Sequence, residues 1–294
     1  MNWKVSRILV AIGDPGRVPP GQLQKAAELA AATGAQVELF HAMRPGDAVD
    51  LGSARSRMTR LATRKALAGL DVRSCIALDS PPHEAIERRA QVIRADLVIA
   101  ATTAHRPGAR LLLRNTDWEL IRHAPCPVLF VKSGGTYRKA AIVASVDPFH
   151  AREKPARLDA RILATATHLA RRLQGNAHAF HAYLPLVAAM PGAMGQPVAL
   201  TLPPGAEKAH GAEVQRGFAK LAARSGIPRA RRHLEMGDVP TRLPAVVKRT
   251  KARIVVMGAV SRSALQRLFI GSTAEHMLDR LACDVLVVKP RPRR

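Results

Sequence analysis

The chain has 294 residues, 47% of them hydrophobic, and a formal net charge of +24 from 46 Lys and Arg against 22 Asp and Glu. That apolar share suffices for a packed core, and no apolar run approaches about 18 residues, so a disordered chain and a membrane-spanning helix are both excluded. Aromatic residues make up only 3%, too few for an extended platform on which bases could stack.

Read in chain order, short apolar runs alternate with stretches of helical period, the pattern of βαβ units around a parallel sheet. The opening MNWKVSRILVAIGD enters a strand at once with no leader-like apolar segment, and the three cysteines, Cys75, Cys126 and Cys283, form no CxxC pair. Both features point to a reducing cytoplasm. Strands are expected at 8–12, 37–41, 72–77, 96–100 and 128–131, with helices at 21–32, 54–68, 83–93 and 115–122 between them. The stretch SGGTYRK, 133–139, reads as a linker. Strands then recur at 141–146, 177–182, 230–235, 253–257 and 285–288, with helices at 157–172, 207–224, 241–248 and 272–280. The Pro-, Gly- and Met-rich segment 184–204 has neither period and reads as a lid or a surface loop.

The two series are copies. A single displacement lays 96–132 on 253–289 without a gap, matching Cys126, Val128, Leu129, Val131 and Lys132 with Cys283, Val285, Leu286, Val288 and Lys289. Upstream, RILVAIGD ending at Asp14 answers KAAIVASVD ending at Asp147, and VELFHAM answers AHAFHAY. This predicts an α/β chain of two tandem, doubly wound, parallel five-stranded sheets, in domains 1–135 and 138–294, each with a crevice where the strand order reverses. Up to Tyr137 there are 19 Lys and Arg against 12 Asp and Glu, a net +7; beyond it 27 against 10, a net +17. A positive field of that size favours anions, a nucleotide or a nucleic acid alike.

The most specific chemistry lies between Val255 and Pro290. An apolar run ends at Gly258, a polar turn with Ser261 and Arg262 follows, and Gly271-Ser272-Thr273 opens a helical stretch. Backbone amides at a glycine turn and a helix start attract phosphate. There is no Walker Gly-Lys-Ser/Thr and no GxGxxG.

The spacing Gly258, Ser261, Gly271, Ser272 resembles the nucleotide signature G-x2-G-x9-G-[S/T] of the universal stress protein family, with serine at the second glycine. The strings IGSTAEHMLDRLACDVLVVKP and NTDWELIRHAPCPVLFVK resemble the two domains of its tandem, E-type members. The resemblance implies the family's adenine nucleotide alpha hydrolase-like fold and an intrachain pseudo-dimer whose sheets meet through 128–131 and 285–288. It implies an adenine nucleotide such as ATP, alone or with Mg2+, with Asp147 against the nucleoside and the backbone of Ala182 against adenine. Homodimerisation is a further implication. Ser261 is harmless if its φ is negative, where its hydroxyl can donate to phosphate, and costs about 1 kcal/mol if φ is positive.

Under the same displacement the first copy has Ala101, Ala104, Arg114 and Asn115 at the signature positions, so one nucleotide site is expected, in the second copy. No nucleophile triad is present, so tight binding with little or no turnover is expected, slow ATP hydrolysis staying open. His178 and His181 are three apart on a strand and face opposite ways, against a shared metal. Two other readings stay open, a basic nucleic-acid-binding protein and a small-molecule or lipid-pocket protein built on 184–204.

Overall fold

The computed structural model describes residues 3–46, 50–102, 115–132, 134–149, 157–186, 203–259, 277–278 and 280–290. In the first half the strands are β1 (Arg7–Ala11), β2 (Gln36–Met43), β3 (Val72–Leu78), β4 (Leu97–Ala101) and β5 (Val128–Val131); the helices are α1 (Pro20–Thr33), α2 (Leu51–Ala62), α3 (Pro82–Val92) and α4 (Asn115–His123). In the second half the strands are β6 (Ala141–Ser145), β7 (Asn176–Tyr183), β8 (Arg232–Met236), β9 (Ala252–Gly258) and β10 (Asp284–Val288). Its helices are α5 (Leu158–Arg172), α6 (Ala206–Arg224) and α7 (Val239–Thr250).

Central strands such as LVIAA and VLFV are apolar on both faces because helices cover both. Local chemistry sets the helix ends: α1 starts on Pro20 and stops at Gly34, whose φ of 73° is the left-handed stop that glycine permits. The helix expected at 54–68 ends at Ala62, since Arg64 adopts an extended backbone before a short 3-10 turn. The helix expected at 241–248 begins earlier, at Val239, because Asp238 caps it by accepting from Thr241 N at 3.0 Å. The helix expected at 272–280 falls largely outside the described residues.

The strand order is β3-β2-β1-β4-β5-β10-β9-β6-β7-β8. Every pair is parallel except β5–β10, which is antiparallel with Leu129 opposite Leu286. These leucines are equivalent in the repeat, so the order reads the same from either edge about an approximate two-fold at that pair. The two five-stranded sheets meet here through 128–131 and 285–288, as the resemblance implies, and their edge strands hydrogen-bond, so that together they form one ten-stranded sheet. The core is continuous across the join on both faces, one covered by α1, α2, α5 and α6, the other by α3, α4 and α7.

The seam is crossed reciprocally. Lys132 Nζ donates to the Leu281 carbonyl at 3.1 Å, and its counterpart Lys289 donates to the Ala124 carbonyl. Each lysine thus donates to the carbonyl of a buried residue where the other half's last helical turn ends. Cys126 and Cys283 are buried free thiols, both pushed up to about 12 by burial.

Strand pairing also fixes the repeat more finely than the sequence does. Ile8 pairs with Val37 and Leu97 as Ile142 pairs with Ala177 and Ile254. That register sets Asp147 level with Gly13, one residue short of Asp14. Both aspartates still do the same local job: Asp14 Oδ1 accepts from Gly16 N at 2.7 Å and Asp147 Oδ1 from Phe149 N at 3.4 Å. Gly13 is therefore an extra residue between β1 and its aspartate turn.

Candidate functional site

The strand order reverses between β6 and β9, so the second crevice opens beyond their carboxyl ends. Of the residues singled out from the sequence, Asp147, Ala182 and Gly258 sit on or just past β6, β7 and β9, three adjacent strands, and all at this end. Ser261, Arg262, Gly271, Ser272 and Thr273 lie outside the described residues, as do Arg114 in the first half and most of 184–204.

Ala182 presents backbone to the crevice. Backbone groups of successive strand residues point to alternate edges. The Phe180 carbonyl accepts from Val146 N on the β6 side at 3.0 Å, and the Tyr183 carbonyl accepts from Gly237 N on the β8 side at 2.8 Å. The N–H and C=O of Ala182 therefore point toward β6, past its last paired residue, where the chain turns away through Asp147 and Pro148.

Aromatic rings wall this end. His181 Nδ1 bonds the Val146 carbonyl at 3.0 Å, as His41 Nδ1 bonds that of Ile12 at 2.8 Å. Its ring lies between Phe149 and Phe218, with centroids 5.8 and 5.9 Å away. Phe149 rests on Gly217 of α6, where a β-carbon would come within 2.7 Å of its ring. His178 faces the other way, its Nδ1 3.0 Å from His233 Nε2, and Arg249 bridges His233 to Glu235. Burial first, then the His233 neighbour, pulls His178 down to about 4, so it is neutral at pH 7. Among the described residues no group of three or more His, Cys, Asp or Glu is placed to hold a metal.

Gly258 is explained by packing. A β-carbon there would lie 2.7 Å from Leu158 Cδ2 and 3.1 Å from Ile162 Cδ1, so the glycine lets α5 press onto β9. The first half solves the same contact differently. Gln22 stands at the place of Ile162, is almost fully buried, and its Nε2 donates to the Ala11 carbonyl at 2.8 Å, while Ala101 takes the position of Gly258. Sequence reading missed Gln22, Phe149 and Phe218; a buried glutamine inside an apolar helical period was the only signal of the first.

Residues 4–132 and 157–289 each match the universal stress protein family. The chain belongs to that family. It carries the domain twice and resembles the family's tandem members. It is 29% identical over 228 residues to the universal stress protein E homolog of Haemophilus influenzae, spanning 75% of this chain and 71% of that one. Over 233 residues it is 29% identical to universal stress protein E of Escherichia coli K12, spanning 76% and 70%. Among solved structures it is similar to a functionally unknown protein, PA1789, of Pseudomonas aeruginosa PAO1, at 25% identity and a TM-score of 0.76 over 98% of this chain and 94% of that one. A universal stress protein of Archaeoglobus fulgidus shares the fold at 14% identity and a TM-score of 0.64. In this universal stress protein no described helix is long and apolar enough to cross a membrane.

Proposed function

We propose that this universal stress protein is a cytoplasmic stress-response regulator that binds one adenine nucleotide, ATP or a relative, in the crevice of its second domain, with little or no turnover. The domains on this reading are 1–135 and 138–294. The observation that carries it is the open backbone edge of Ala182 beside Asp147 at the switch point: a donor and an acceptor on one strand edge suit the edge of a purine. Asp147 would face the ribose, and the amides around 271–273 would take the phosphates. In the first domain the buried Gln22 amide already holds the Ala11 carbonyl, which favours a single site.

Calorimetry with ATP, with and without Mg2+, tests this and should give about one site per chain. Gly271→Arg, copying Arg114, should abolish the heat while leaving the fold intact. Ser261→Gly should strengthen binding by about 1 kcal/mol if that residue sits at positive φ. Absence of ATP binding in both wild type and Ser261→Gly would end the nucleotide reading. Steeply salt-dependent binding of DNA or RNA that ignores Gly271→Arg would put the basic surface in its place.

A further inference from the structure

The two ends of the β5–β10 seam are equivalent in the repeat, yet one is sealed by side chains and the other holds a cavity of about 370 Å³. At the sealed end Asp284 accepts from Lys25 Nζ, from the Tyr137 hydroxyl and, at 2.8 Å, from Lys132 N. Lys25 and Asp284 are 1% and 0% exposed. The strand registers and helix ends put Pro127 at the place of Asp284, Thr165 at that of Lys25, and Trp3 at that of Tyr137. These three line the cavity, with Lys4 and Arg161 adding positive charge and Asp96 the only acid among the described lining residues. The acid is engaged, since Asp96 Oδ2 accepts from the backbone of Ser6 and Arg7 at 2.7 and 3.1 Å.

We propose that this cavity is a binding site for a small carboxylate with a flat apolar body, independent of the nucleotide crevice. The sealed end is the template: there a carboxylate meets an ammonium, an aromatic hydroxyl and a backbone amide. The open end keeps the aromatic wall, a hydroxyl and cations but has lost the carboxylate, because proline occupies its position. Thr165 is 3% exposed and lines the cavity. A hydroxyl on the wall of the cavity can donate to a ligand that supplies an acceptor. Arg161 is fixed by its bond to the Lys289 carbonyl, so its charge stands in one place on the wall. The remaining surface, Trp3 with Pro125, Pro127 and Ala164, is apolar and suits a ring. The volume lies at the small end of ligand pockets, matching a ligand of one ring.

Benzoate is the probe and benzamide its neutral isostere. Trp118→Phe leaves Trp3 as the sole tryptophan, so its emission reports the cavity wall. Benzoate should change that emission saturably, with benzamide at least tenfold weaker. Pro127→Asp, which restores the internal acid, and Thr165→Val should each weaken benzoate at least tenfold. If Trp118→Phe does not fold, saturation-transfer NMR on benzoate with the native chain reads the same comparisons. No saturable response to benzoate, equal response to benzamide, unchanged binding in Pro127→Asp, or displacement of benzoate by ATP would each overturn the assignment.

Discussion

At one end of the seam a buried lysine, aspartate and tyrosine close on each other, and at the other a threonine, proline and tryptophan in the equivalent places leave open space. Equivalent strand and helix positions carry both arrangements, and the residues at those positions make the difference. Burying Lys25 and Asp284 costs desolvation that pairing and added hydrogen bonds offset, with little net gain in stability. What the network supplies is position. It ties α1, the stretch around Tyr137 and the start of β10 to a single carboxylate, with Glu28 also accepting from Tyr137 N and Lys25 Nζ 5.1 Å from the centre of the Tyr137 ring. The sealed end should therefore be sensitive to every member, and the open end tolerant.

Lys25→Met tests that contrast most severely. It leaves the Asp284 carboxylate buried with its main counter-charge gone and should lower unfolding free energy by about 3–5 kcal/mol. Thr165→Val at the equivalent place should move the urea midpoint little; comparable losses at the two ends would erase the distinction. Tyr137→Phe removes one hydroxyl bonded to a carboxylate and should cost about 1.5–3 kcal/mol in the same melts. Gly258→Ala probes the other contrast, between the two helix-on-strand contacts. Its new methyl would press on Leu158 and Ile162 and should cost about 1–3 kcal/mol, whereas Ala101→Gly in the first half should cost about 0.5–1 kcal/mol.

The smallest effect concerns pH. On the α3 side of the seam, burial raises Glu87 to about 7 with Lys289 opposing, and Glu119 and Glu84 push the same way as burial. Its Oε1 is buried without a hydrogen-bond partner. The folded chain holds this proton more tightly than the unfolded one, so its contribution is fully present below the ordinary carboxylate range and is lost as pH rises through about 7. Glu87→Gln should flatten that loss, read as the difference between variant and wild-type urea midpoints at pH 5 and pH 7.5. An unchanged difference would mean that Glu87 titrates normally.

The strands were legible because each is a buried apolar run bounded by turn residues, and the repeat was legible because β5 and β10 kept their residues almost unchanged. Fusion of the sheets was not, since nothing in VLFV or VLVV distinguishes an edge that packs from an edge that pairs. Tyr137 sits in a stretch whose Gly-Gly and polar neighbours read as a tether, yet it is 0% exposed. Lys25 and Asp284 are remote in sequence and each looks like a surface charge. The offset at Gly13 is hidden in the sequence because aligning the two aspartates gives the right turn but the wrong strand register. Of the candidate site, Asp147 and Ala182 were found through a resemblance, while the aromatic wall of Phe149, His181 and Phe218 depends on α6 lying across β7, which no local pattern encodes.

The antiparallel joint between β5 and β10 has a consequence for dilution. The short stretch from Lys132 to Ala141 keeps the two strands at an effective concentration on the order of mM, whatever the number of molecules in solution. Two separate subunits joined by the same strands would come apart as they were diluted, and each would bring every substitution to both ends of the joint. Here the joint closes within one molecule, so its two ends are free to differ, and a lysine buried at one end need not be buried at the other.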